Sequence, residues 1–133
     1  MQKYFENDFT QYMLVNNIVH IIYKKGAIID LQASKQIVRD RLMFQEERAY
    51  PILCDIRQLR KVDKAARDYL ALEGSQLIKA LAFIIEPPVT DVMTRFYLMT
   101  NHPDIPTASF REISKALVFL SRFLSLGLGT ILF

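Results

Sequence analysis

Five cations fall within residues 57 to 67: Arg57, Arg60, Lys61, Lys64 and Arg67, with Asp63 the one acid among them. Side chains of this kind hold anions, whether an acidic protein surface, a phosphate or an anionic headgroup. The plainer alternative is a solvated loop, partly neutralised by Asp55, Asp63 and Asp68. Asp63 stands at the start of a helical pattern and reads as its N-cap, where its carboxylate accepts backbone N–H groups. The helix N-terminus would add N–H donors to an anion site. No catalytic set accompanies these cations. His20 and His102, the two histidines, have no second His or Cys at metal-ligand spacing. Cys54, the single cysteine, sits in an apolar run away from any helix N-terminus, where nothing would lower its thiol pKa. There is no Gly-rich phosphate loop and no nucleophile–base pair. The expectation is a non-enzymatic protein with no catalytic residues, no cofactor and no metal.

The elements that position these residues belong to one domain. The chain has 133 residues, of which 51% are hydrophobic and 23% charged. A chain this long buries about two-thirds of its unfolded surface and needs no covalent staples. A formal charge of +3 permits acidic partners but falls short of the dense positive charge of a nucleic-acid binder. One cysteine forms no internal disulfide, and a reducing cytoplasm is the expected compartment. The opening MQKYFENDF carries charges and lacks the apolar core of a secretory signal. The uncharged stretch from Phe123 to Phe133 is too short to span a bilayer as a helix.

Thr10–Val15 and Ile18–Tyr23 read as a β-hairpin around Asn16-Asn17, since both asparagines tolerate left-handed backbone angles. After the Lys24-Lys25-Gly26 turn, Ala27–Ile29 extends the strand or leads into a helix. Asp30 caps that helix, with Leu31, Ile37, Val38, Leu42 and Met43 near its inner face. Ile52, Leu53, Cys54 and Ile56 form a nearly continuous apolar run suited to a central strand. A second helix follows Asp63, with Ala66, Tyr69 and Leu70 inward and Gly74 near its end. Ile78–Ile85 is the next strand. A third helix is expected from Val89 to Met99, ended by Asn101-His102-Pro103. Ile105–Ala108 is the last strand, and Ser109 with Glu112 makes a capping box for the last helix. The order is β-β-α-β-α-β-α-β-α, which predicts an α/β fold with a mixed, mostly parallel sheet and flanking helices. The domain spans 1–133, with its core at about 10–124 and an apolar tail at 125–133.

This order, together with I-L-C-D-I-R-x-L-x-x-V-D-x-x-A-R-x-Y-L from Ile52 to Leu70 and the following Glu73-Gly74, resembles the SpoIIAA-like branch of the STAS superfamily. The best-known STAS members are bacterial anti-sigma-factor antagonists, and the SpoIIAA-like branch is sometimes grouped with Sec14-like lipid-binding folds. In the antagonists, the loop after the strand equivalent to Ile52–Ile56 carries Asp-Ser-Ser-Gly-Leu-Gly, and phosphorylation of the second serine abolishes partner binding. Asp63 matches the aspartate. Lys64 and Ala65 stand where the serines would be, so the resemblance implies a member without the phospho-switch.

Two functional readings follow. The leading one is a bacterial, cytoplasmic protein-interaction or regulatory module. It would dock a protein partner through Arg57, Arg60, Lys61, Asp63, Lys64 and Arg67, and would bind no nucleic acid. The alternative is a small lipid or apolar-ligand binding protein of Sec14-like character. Its pocket would lie beside the third helix, where Met93, Phe96, Tyr97 and Met99 make more than one side apolar. Those four residues also suit a dimer contact. A monomer does not leave as many apolar groups in water as the tail carries. The tail therefore packs on its own domain or on another copy, and a homodimer is the favoured expectation.

Overall fold

A computed structural model describes residues 3–88 and 105–124. Among them the elements are β1 (Lys3–Glu6), β2 (Thr10–Val15), β3 (Ile18–Tyr23), β4 (Ile28–Ile29), α1 (Leu31–Gln45), β5 (Tyr50–Asp55), β6 (Lys61–Val62), α2 (Lys64–Leu72), β7 (Ile78–Ile84), β8 (Thr107–Phe110) and α3 (Ile113–Ser121). The expected helix over Val89–Met99, with Met93, Phe96, Tyr97 and Met99, lies outside the described residues, as do His102 and the tail at 125–133.

The hairpin forms as its sequence dictates. Asn16 and Asn17 take φ of 51° and 63°, and two left-handed residues give a turn whose twist matches the flanking strands. β2 pairs with β3 from Thr10↔Tyr23 to Val15↔Ile18. β1 adds a further antiparallel strand on the far side of β2, with Lys3 opposite Leu14 and Glu6 opposite Gln11. The six-stranded order is β1-β2-β3-β5-β7-β8. The pairs β3–β5, β5–β7 and β7–β8 are all parallel. β4 and β6 form a separate two-stranded parallel pair, Ile28↔Lys61 and Ile29↔Val62.

Strand periodicity sends alternate residues to two cores. Val19, Ile21, Ile52, Cys54 and Leu81 face Ala33, Ile37 and Phe44 of α1 and Ala66 of α2. Leu53, Ala80, Ala82 and Ile84 face the opposite way, against Ala116 and Leu120 of α3. The small side chains at 80, 82 and 116 leave room for that helix to lie close to the sheet.

Three local expectations are corrected. The buried stripe of α1 is Ala33, Ser34, Ile37, Val38, Arg41, Phe44 and Gln45. Met43, expected on the inner face, is 72% exposed, because the steps of three and four residues that link the stripe bypass position 43. The last described strand runs from Thr107 to Phe110 rather than Ile105 to Ala108. Ser109 therefore pairs in β8 opposite Phe83 and caps nothing. The N-cap of α3 is Glu112, without a side-chain cap bond.

Candidate functional site

Parallel strands running the same way bring their carboxyl ends to one edge of the sheet, and the loops that leave them converge there. Lys24-Lys25-Gly26 follows β3, with Gly26 at φ +75°. Residues Ile56 to Arg60 follow β5, Ile85-Glu86 follows β7, and Arg111 follows β8. Main-chain bonds stitch these loops together. The Gly26 N–H donates to the Gln58 carbonyl at 2.9 Å, and the Arg60 N–H to the Ala27 carbonyl at 2.9 Å. The Ile56 N–H donates to the Ile84 carbonyl at 3.1 Å, and the Ile85 N–H to the Phe110 carbonyl at 2.9 Å.

Two grooves meet on this edge. Lys25, Arg57, Gln58, Arg60 and Glu86 line one, and Arg57, Glu86, Pro87 and Arg111 line the other. Arg57 stands between them. Its Nε donates to Asp55 Oδ1 at 3.0 Å and its Nη2 to Asp55 Oδ2 at 2.7 Å, a two-pronged pair on a buried carboxylate. Those bonds raise the Arg57 pKa further. Because Asp55 balances Arg57, the excess positive charge comes from elsewhere. Lys25, Arg60, Lys61 and Arg111 are exposed and form no ion pair among the described residues.

The structure divides the six residues marked from sequence. Arg57 and Arg60 share a groove, with exposed Lys61 next to them in β6. Asp63 serves as the N-cap of α2, its Oδ1 accepting the Ala66 N–H at 2.8 Å. Lys64 pairs along the helix with Asp68 at 2.7 Å. Arg67 lies beneath the loop, where its Nη1 donates to the Val62 carbonyl at 2.9 Å and its side chain lines an internal cavity. Lys25 and Arg111 are the cations that the sequence reading missed. Lys25 lies in the turn after β3 and Arg111 immediately follows β8, and those positions were the available signal.

The remaining described candidates, Cys54 and His20, lie in strands of the sheet. Cys54 is buried in β5, and burial pushes its thiol pKa up, the opposite of an activated nucleophile. His20 lies in β3 beside Met13 and Leu53, and desolvation lowers its pKa. Among the described residues no group of three or more His, Cys, Asp or Glu could hold a metal ion. Among the same residues no helix is long and apolar enough to cross a membrane.

The architecture has a counterpart of known structure. An uncharacterised protein of the DUF3478 family with a SpoIIAA-like fold, from Shewanella loihica PV-4, superposes with a TM-score of 0.59 at 14% sequence identity. The match covers 90% of this chain and 92% of that one, so the fold of this protein is SpoIIAA-like. No curated protein is similar enough to count as a relative. The sequence itself matches a family model over residues 12–124, and the chain belongs to that family, DUF7793, a domain of unknown function.

Proposed function

We propose that this protein is a non-enzymatic interaction module that docks an acidic protein partner on the carboxyl edge of its sheet. The observation that carries this reading is the convergence of Lys25, Arg60, Lys61 and Arg111 on an edge where none of the four forms an ion pair among the described residues and Glu86 is the one acid lining the two grooves. A face built from several loops on a hydrogen-bonded frame is held in shape before a partner arrives, which lowers the ordering cost of binding. Lys64 and Ala65 open α2 where the antagonists' serines would stand, and neither has a hydroxyl to phosphorylate. Docking here would be set by charge complementarity and not by a phosphate switch. The reading takes the module to be cytoplasmic and homodimeric.

The test begins by cross-linking the tagged protein in its native cells, identifying what it holds, and measuring that affinity with purified components. The triple variant Arg60→Glu, Lys61→Glu, Arg111→Glu is expected to weaken binding at least about tenfold, because reversed charges at a complementary face repel. Raising salt should weaken the native complex as well. Lys35→Glu, an exposed cation on the outer face of α1, should leave it intact. A partner held equally well by the triple variant, or with salt-independent affinity, would overturn the docking edge.

A further inference from the structure

Between α1, α2 and the sheet lies a cavity of about 120 Å³, which shares the Leu59 wall with the basic edge but is lined by none of Lys25, Arg60, Lys61 and Arg111. Its walls are mainly aliphatic and aromatic, Ile37, Ile52, Leu70 and Phe83 among them. Interiors normally pack without such voids, and an apolar void of similar size is large enough to take a benzene ring. Two cations line it: Arg67, whose Nη1 donates to the Val62 carbonyl at 2.9 Å, and the more deeply buried Arg41, only 3% exposed. The Arg41 Nη1 donates to Gln45 Oε1, and its Nη2 donates to the Gly74 carbonyl at 2.9 Å. Both partners are neutral.

No carboxylate among the described residues pairs with Arg41, and the ionisable groups that act on it, Tyr12, Tyr23 and Cys54, include no carboxylate. Desolvation lowers its pKa to about 10, so the guanidinium is still charged at neutral pH. A buried cation held by neutral acceptors alone is costly, and an anion placed beside it offsets that cost. The local chain is shaped for this arrangement. A Cβ at Gly74 would collide with the Leu70 carbonyl, so glycine allows the close turn that brings its own carbonyl to Arg41. Leu70, Gly74 and Ser75 are half-buried among the cavity walls.

We propose that this cavity binds a small apolar monocarboxylic acid, with its short chain or ring among the aliphatic walls and its carboxylate on Arg41. The size of the void sets the length of the tail, and the buried Arg41 guanidinium sets the charge of the head. The expelled water and the new charge-assisted bonds would both favour the complex.

The probes are hexanoate and benzoate against their neutral counterparts hexanamide and benzamide, titrated into the full chain and followed by amide NMR shifts. The acids are expected to bind at least about tenfold more tightly than the amides, the usual worth of a hydrogen-bonded charge. The shifts should centre on Ile37, Leu70 and Gly74. Arg41→Met keeps the apolar length of the side chain and should abolish the preference for acids. Leu70→Trp, which fills the cavity from a half-buried wall position, should block acid and amide alike. The acid–amide comparison on the native protein keeps the proposal falsifiable even if Arg41→Met does not fold. Equal affinity for acid and amide, or no binding of either up to about 10 mM, would overturn it. Because Arg60, Lys61 and Arg111 do not line the cavity, the triple charge reversal above should bind hexanoate as the native protein does.

Discussion

At the scale of single residues, His20 makes the folded state sensitive to acid. It lies on the face of the sheet turned away from α1 and α2, in register with Met13 on one side and Leu53 on the other. Its Nε2 is buried with no hydrogen-bond partner among the described residues. An unsatisfied buried nitrogen costs stability, and protonation there would bury a charge as well. Desolvation accordingly lowers the folded pKa below the ordinary value of 6.5. The unfolded chain then takes up a proton at a higher pH than the folded one. The resulting stability is fully present above 6.5 and is lost as pH falls from there through the lowered folded value. Urea unfolding between about pH 7.5 and 5.5 should show the native protein losing stability that His20→Leu retains. Parallel pH profiles for the two proteins would remove His20 as the cause.

At the scale of elements, the caps decide where helices begin, and the caps were only partly legible. Asp30 and Asp63 each precede an amphipathic run, and each accepts an N–H three residues on, Ala33 and Ala66, at 2.8 Å. Ser109 carries the same sequence signal, yet β8 claims it first, since pairing with β7 holds its backbone extended. A capping motif is local, whereas strand pairing depends on a partner far away in sequence, so the longer-range interaction prevailed. Denaturant unfolding should separate the two cases. Asp63→Ala should cost about 1 kcal/mol while Asp63→Asn is nearly neutral. Ser109→Ala should change stability by less than about 0.5 kcal/mol. A Ser109→Ala loss equal to that of Asp63→Ala would mean that the start of α3 has been misplaced. The inner face of α1 was misread for a different reason. Its stripe includes Ser34, Arg41 and Gln45, polar side chains whose burial depends on acceptors such as the Leu31, Gly74 and Leu77 carbonyls. A pattern of apolar residues alone passes over them.

At the scale of the whole molecule, the alternation of strand and helix was enough to give the parallel half of the sheet. Right-handed crossovers between strands added in one direction put α1 and α2 on the same face, as found. β1 gave no such signal, because four residues with exposed Tyr4 and Phe5 become a strand only when β2 offers its edge. The basic site was legible as composition but not as a surface. Residues 57–67 read as one patch, whereas the fold turns Arg67 inward and recruits Lys25 and Arg111 from loops far apart in sequence.

The remaining question at this scale is what completes the face that carries α3. Ala116 and Leu120 cover Leu53, Ala80, Ala82 and Ile84, but Met13, Val15 and Ile22 of the hairpin stay only partly buried on the same side. On α3, Val118 is 62% exposed and Ile113 is 39% exposed. Residues 125–133 follow in sequence with no charged side chain. Apolar surface of this extent is normally covered, and the expected cover is a second copy engaged through the tail. Light scattering should give the mass of a dimer for the full chain and of a single chain after truncation behind Leu124, with circular dichroism unchanged. A full chain that runs as a monomer would end the dimer reading. A truncated chain that stays dimeric would keep the dimer but move its interface off the tail and onto the exposed side of α3 and the hairpin.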